Sequence, residues 1–203
     1  MNLLRRNLIA LGAITPLLGC TNEQEQGKQM TEQIHDVEVK GGYGFTYPMP
    51  SLATTGEKIN LLIRIKKAMP YTAALVFVEQ RNWPKEKREQ LMRIYEGRAS
   101  GHEPEELPYP IKLRFYLDSV DAPVPVHVDI VCAERRSSYG TYYPDRYPKL
   151  PNGQHSVIWR ANGLWGIANL EPGVYRVRID NLNPAPEVDF ETRFQFFHHY
   201  IKA

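Results

Sequence analysis

The sequence predicts an all-β protein, mainly antiparallel, in which two sheets pack as a sandwich and one helix is inserted at about residues 84–96. Three observations lead there. From about His35 onward apolar residues recur with a period of two, the mark of strands that set one face on a core and the other in water. The 16 Pro and 14 Gly punctuate these runs at short intervals, as turns between short strands require. A helical spacing interrupts the pattern in one stretch, just after Pro84.

Each element has its own reason. Gly41-Gly42-Tyr43-Gly44 lacks the Gly-Lys-Ser/Thr of a phosphate-cradling loop and reads as a tightly bent strand start. Ile59, Leu61, Ile63 and Ile65 then alternate with Asn60, Leu62, Arg64 and Lys66. Ala73 to Val78 is apolar on both sides, which predicts a central strand. Over 84–96, Pro84 stands at a plausible first helical position, Leu91, Ile94 and Tyr95 fall at i, i+3 and i+4, and Gly97 follows as a stop. This helix is expected to lie across the sandwich with its apolar stripe down, either covering an open sheet edge or offering a face to a partner. Ile111, Leu113, Phe115 and Leu117 form the next alternating series, and Val124, Val126, Val128, Ile130 and Cys132 the one after it. The latter series turns Cys132 inward, so its thiol is expected to be buried and inert. Leu170-Glu171-Pro172-Gly173 is a turn, after which Tyr175, Val177 and Ile179 share a face. Asn183-Pro184-Ala185-Pro186 breaks the chain, and a last strand is expected over about 188–197 with Phe190, Phe194 and Phe196 on one face.

A Pro-Gly turn followed by Val174-Tyr175-Arg176-Val177 resembles the penultimate strand of many Ig-like bacterial modules, in which the Tyr packs beneath the turn. The resemblance implies an Ig-like β-sandwich.

The leader is a separate matter. Arg5 and Arg6 precede an apolar run from Leu8 to Leu18, too short for a comfortable membrane span, and Gly19 precedes Cys20. Leu17-Leu18-Gly19-Cys20 resembles the bacterial lipobox. That resemblance implies cleavage before Cys20, lipidation of its thiol and attachment to the membrane through the acyl chains. Thr21 stands where inner-membrane lipoproteins typically carry Asp, so the resemblance points to the outer membrane, with the domain facing the periplasm. The expected organisation is a signal peptide at 1–19, a lipidated N-terminus and polar tether at 20–33, and a sandwich domain at 34–203. Loss of 1–19 from the 203 residues leaves 184, enough for one domain with a proper core. The formal charge of +2 then falls to zero, which argues against a nucleic-acid partner.

No motif names a reaction. His102-Glu103-Pro104-Glu105-Glu106 carries Pro inside it and no His at i+4, so it reads as a solvated acidic loop rather than a metalloprotease helix. Neighbours in a strand point to opposite faces, so His198 and His199 are poorly placed to share an ion. His127 and Asp129 share a strand face, as an acid–base pair requires, without a recognisable nucleophile. The chain is therefore read as a non-enzyme with no cofactor and no metal.

The stretch from Glu134 to His155 is the candidate for function. It carries Arg135, Arg136, Tyr139, Tyr142, Tyr143, Arg146 and Tyr147, and at about 22 residues it exceeds the usual reach of an unstructured loop. Tyr and Arg dominate interface hot spots. The competing readings are a long β-hairpin whose tyrosines fold back on the sandwich and a stacking surface for carbohydrate. The expected function is an envelope-anchored, protein-binding lipoprotein. Immunity lipoproteins that neutralise toxins passed between bacteria are of this size, with a lipobox and no catalytic motif, so a toxin is one expected partner. A structural subunit of an envelope assembly and a carbohydrate-binding accessory are the alternatives.

Overall fold

A computed structural model of the chain describes residues 33–37, 44–96, 108–134, 138–144 and 149–198. All of them belong to one unit spanning Glu32–Ala203. The elements run β1 (Ile34–Asp36), β2 (Phe45–Met49), β3 (Gly56–Ile65), β4 (Met69–Gln80), α1 (Lys85–Glu96), β5 (Leu113–Asp121), β6 (His127–Cys132), β7 (Ser138–Tyr142), β8 (Val157–Leu170), β9 (Gly173–Asn181) and β10 (Thr192–His198). Among the described residues the strands form two sheets, ordered β1-β3-β9-β5-β6 and β2-β10-β4-β8-β7. Pairing is antiparallel except between β1 and β3. The protein is an all-β sandwich with one inserted helix. Among the described residues no helix is long and apolar enough to cross a membrane.

The first sheet obeys the two-residue period because its outer face meets water. Ile59, Ile63, Ile65, Leu113, Phe115, Leu117, Tyr175, Val177 and Ile179 all point inward and are buried. The second sheet is buried on both faces around β4, which occupies its middle position. Tyr71, Ala73, Leu75 and Phe77 enter the inter-sheet core with Phe194 and Phe196. Ala74, Val76 and Val78 join Val157, Trp159, Ala161 and Phe197 in a smaller cluster on the opposite face.

Two tyrosines fix where strands begin. Tyr175 is buried and donates its hydroxyl hydrogen bond to Glu171 O at 2.8 Å, tying β9 to the Pro-Gly turn before it. Tyr71 does the same in the facing sheet, donating to Lys67 O at 3.0 Å. Burial pushes the Tyr71 phenol up to about 12, and the neighbouring Tyr175 phenol adds to the shift. Gly173 is required because a Cβ there would lie 2.4 Å from Asp121 O. Gly44, at φ +59°, bends the chain into β2 where a Cβ would meet Phe196 O at 2.3 Å.

Three expectations need correction. Among the described residues the helix packs chiefly on the central strand β4, not on a sheet edge. Its buried Leu91, Ile94 and Tyr95 enter the inter-sheet core, with Tyr95 edge-on to Phe77. It carries the chain from one sheet to the other. Val124 is 53% exposed, because the strand begins only at His127 and Val124 sits in the preceding turn. Phe190 precedes β10. It is buried against Phe77 and Trp83 in the loop that the prolines create. Cys132 is buried, and its thiol donates to Leu164 O at 2.9 Å.

Candidate functional site

The described part of the tyrosine-rich stretch belongs to a hairpin. Strand β7 pairs antiparallel with β8, Ser138 opposite Asn162 and Tyr142 opposite Trp159, with a bulge between Ser138 and Gly140. Before β8 the chain makes a second, tight turn closed by the Lys149–His155 bridge. Asn152 and Gly153 shape it: the Asn152 Oδ1 accepts from the Gln154 N–H at 3.1 Å, and Gly153 takes φ +79°. The Leu150 N–H donates to Gln154 O at 2.7 Å, and the Gly153 N–H to Leu150 O at 2.8 Å. These bonds fix the backbone from which His155 and Gln154 project.

Tyr143, just past β7, is 42% exposed yet has two ring neighbours. Its ring lies 5.5 Å from the His155 ring and 5.9 Å from the Arg81 guanidinium carbon. Arg81, at the end of β4, is in turn pinned: its N–H donates to Ser156 O at 3.0 Å and its Nη1 to Gln154 Oε1 at 3.1 Å. The guanidinium, phenol and imidazole thus form a fixed, half-exposed cluster joined to the central strand. Among the described residues, Arg81 Nε and His155 Nδ1 are shielded from solvent without a hydrogen-bond partner.

Of the residues read as candidates, Tyr143 falls in this cluster, and Tyr139 and Tyr142 lie on β7. Arg135, Arg136, Arg146 and Tyr147 lie outside the described residues, as do Cys20 and the acidic stretch around His102. Arg81 was not legible as a site residue, since nothing in sequence links it to Tyr143. Only the topology does, by laying β8 between β4 and β7.

His127 and Asp129 do share the outer face of the first sheet, but each is engaged elsewhere. Arg114 grips both Asp129 oxygens at 2.7 Å, and His127 Nδ1 bonds Asp118. The Arg114 guanidinium holds the Asp129 carboxyl below the usual carboxylate range. Arg178 stacks 3.8 Å from the Tyr116 ring, with Arg114 at 5.1 Å from it. This is an open, charge-balanced face rather than a cleft. A groove of about 710 Å³ runs beside α1, floored by Ile94, Pro108 and Pro110. Its polar walls, Glu86, Glu89 and Arg93, belong to the charged side of an amphipathic helix. Among the described residues no group of His, Cys, Asp and Glu could hold a metal ion.

A family match runs from Tyr47, within β2, to Phe197, within β10, and so takes in every element from β3 to β9 whole. The chain belongs to the family described as a domain of unknown function, DUF5625. The match embraces Arg81, Tyr143 and His155 and leaves out residues 1–46. No curated protein matches the chain. A crystal structure of a protein from Sulfurospirillum deleyianum is similar at 12% identity and a TM-score of 0.48, covering 77% of this chain and 98% of its own.

Proposed function

We propose that this DUF5625 protein is a binding module, lipid-anchored through Cys20 to the outer membrane, whose sandwich captures a protein partner in the periplasm through the surface around Tyr143. The observation that carries the reading is the Arg81–Tyr143–His155 cluster. A half-exposed aromatic ring in contact with a guanidinium and an imidazole loses little conformational freedom on binding and presents the residue types that dominate hot spots. Its attachment to the central strand makes it more rigid than a free loop would be. Neutral charge after leader removal fits recognition by shape and hydrogen bonding rather than by long-range attraction. A toxin delivered by a neighbouring cell is the partner class that the leader and size favour.

The test is photo-crosslinking in cells from a benzoyl-phenylalanine placed at Tyr143 of the full-length chain. One dominant protein adduct is expected, lost when Arg81→Ala is added. Toxicity of that protein towards cells lacking this lipoprotein identifies immunity. Absence of any adduct above that from a probe at exposed Val120 would overturn the reading.

A further inference from the structure

Open sheet edges attract other strands, and folded proteins blunt them. Among the described residues, three of the four sheet edges are blunted. Strand β1 has three residues, β2 contains Pro48, which cannot donate, and β7 is broken by its bulge. Strand β6 has none of these devices. It runs six residues, pairs with β5 in unbroken register, and among the described residues pairs with no other strand.

Its free hydrogen-bonding groups can be assigned. The Ser119 N–H donates to Val126 O at 2.9 Å, so that opposed pair is hydrogen-bonded. Antiparallel ladders alternate, so Val128, Ile130 and Cys132 spend their backbone groups on β5, while His127, Asp129 and Val131 turn theirs outward. The side chains leave room for a neighbour. Val128 and Ile130 are half-buried against the core, and Val131 is 47% exposed. The polar side chains of this strand are already engaged within the sheet, Asp129 in an ion pair with Arg114 and His127 in a hydrogen bond to Asp118.

We propose that β6 is a strand-addition edge, and that an extended segment of the protein partner, apolar at alternate residues, pairs with His127–Val131 and becomes a sixth strand of this sheet. Apolar residues are demanded on one side by Val128 and Ile130 and on the other by Val131. A second copy of the chain is a poor occupant. A six-residue ribbon about 20 Å long and about 10 Å deep presents roughly 200 Å², well short of the roughly 800 Å² per partner that a stable dimer needs. A two-fold centred on Asp129 would also oppose two carboxylates. The edge lies on the same flank as β7, since the Cys132 thiol reaches β8 at Leu164. The inference rests on the partner-binding reading and adds how the partner's backbone is held.

The experiment is residue-resolved hydrogen exchange on the full-length protein with a synthetic peptide alternating Val and Thr between terminal lysines. The amides of His127, Asp129 and Val131 are expected to slow at least tenfold at saturation, and a copy of the peptide N-methylated at alternate amides is expected to have no effect. Val131→Pro removes an outward N–H while sparing the β5 ladder and should weaken binding at least tenfold. Val131→Thr, which keeps that N–H and loses only part of the apolar contact, should weaken binding far less than Val131→Pro does. Unchanged exchange at the three amides, or equal binding by Val131→Pro, would overturn the proposal. Tyr143 takes no part in peptide binding, so such a failure alongside an intact Tyr143 crosslink would sink the edge and leave the partner reading standing.

Discussion

Tyr71→Phe should change stability with a sign that depends on pH. The variant removes the hydroxyl that donates to Lys67 O and leaves the buried ring in place. Near pH 8 the loss is that of one hydrogen bond, about 1 kcal/mol. The native phenol titrates at about 12, raised from 10 by burial. Below pH 10 it is protonated in both the folded and the unfolded chain, and its stabilisation is complete. As pH rises from 10 towards 12 the unfolded chain releases a proton that the folded chain retains, so the native protein loses stability. By pH 11 that loss reaches about 1.4 kcal/mol, since each unit of pKa difference is worth about that much. The variant has no such group to titrate at this position. Urea denaturation from pH 8 to 11 should therefore give stability curves that converge and cross near pH 11. Parallel curves, with the variant remaining about 1 kcal/mol weaker throughout, would refute the assignment of a buried, proton-retaining phenol.

Other consequences follow from individual contacts. Arg160 Nε bonds the largely buried Glu79 carboxylate at 2.6 Å, so Arg160→Ala strands that charge and should cost about 3–5 kcal/mol in urea denaturation. The double change Glu79→Leu with Arg160→Met should recover most of this, and a single variant within about 1 kcal/mol of native would count against the pair's burial. Gly44→Ala combines an unfavourable φ with a backbone clash, and should lower Tm by roughly 4–8 °C for a cost of about 2 kcal/mol. An unchanged Tm would contradict the close approach to β10. The Cys132 thiol should react with an aromatic disulfide reagent only at the rate of unfolding, and fast labelling of the native protein would contradict its burial.

What could be read in the sequence tracks solvent exposure. Strands β3, β5 and β9 were legible because one face of their sheet meets water, which leaves Arg176 and Arg178 alternating with Tyr175, Val177 and Ile179. Strand β4 was legible as central because both of its faces are apolar. Strand β8, the longest, was not. Both of its faces are buried for much of its length, and Asn162, Gly163 and Gly166 break any period. Bulges between Tyr71 and Ala74 also shift its register against β4. The candidate site was half legible. Tyr143 and its neighbours stood out by composition, and the described residues before it pair with β8 as β7. Arg81 and His155 reach the tyrosine only through strand order, which one sequence does not encode locally. The β6 edge was hidden for the same reason, since an edge is defined by which strand fails to arrive.

The most direct test of the account is the affinity of the crosslinked partner for the native protein and for Tyr143→Ala, measured alongside native-like stability of the variant. A hot-spot ring should be worth about 2 kcal/mol or more, a loss of roughly thirtyfold in Kd. An affinity within twofold of native, in a variant that folds normally, would contradict the claim that this protein meets its partner at the Tyr143 surface.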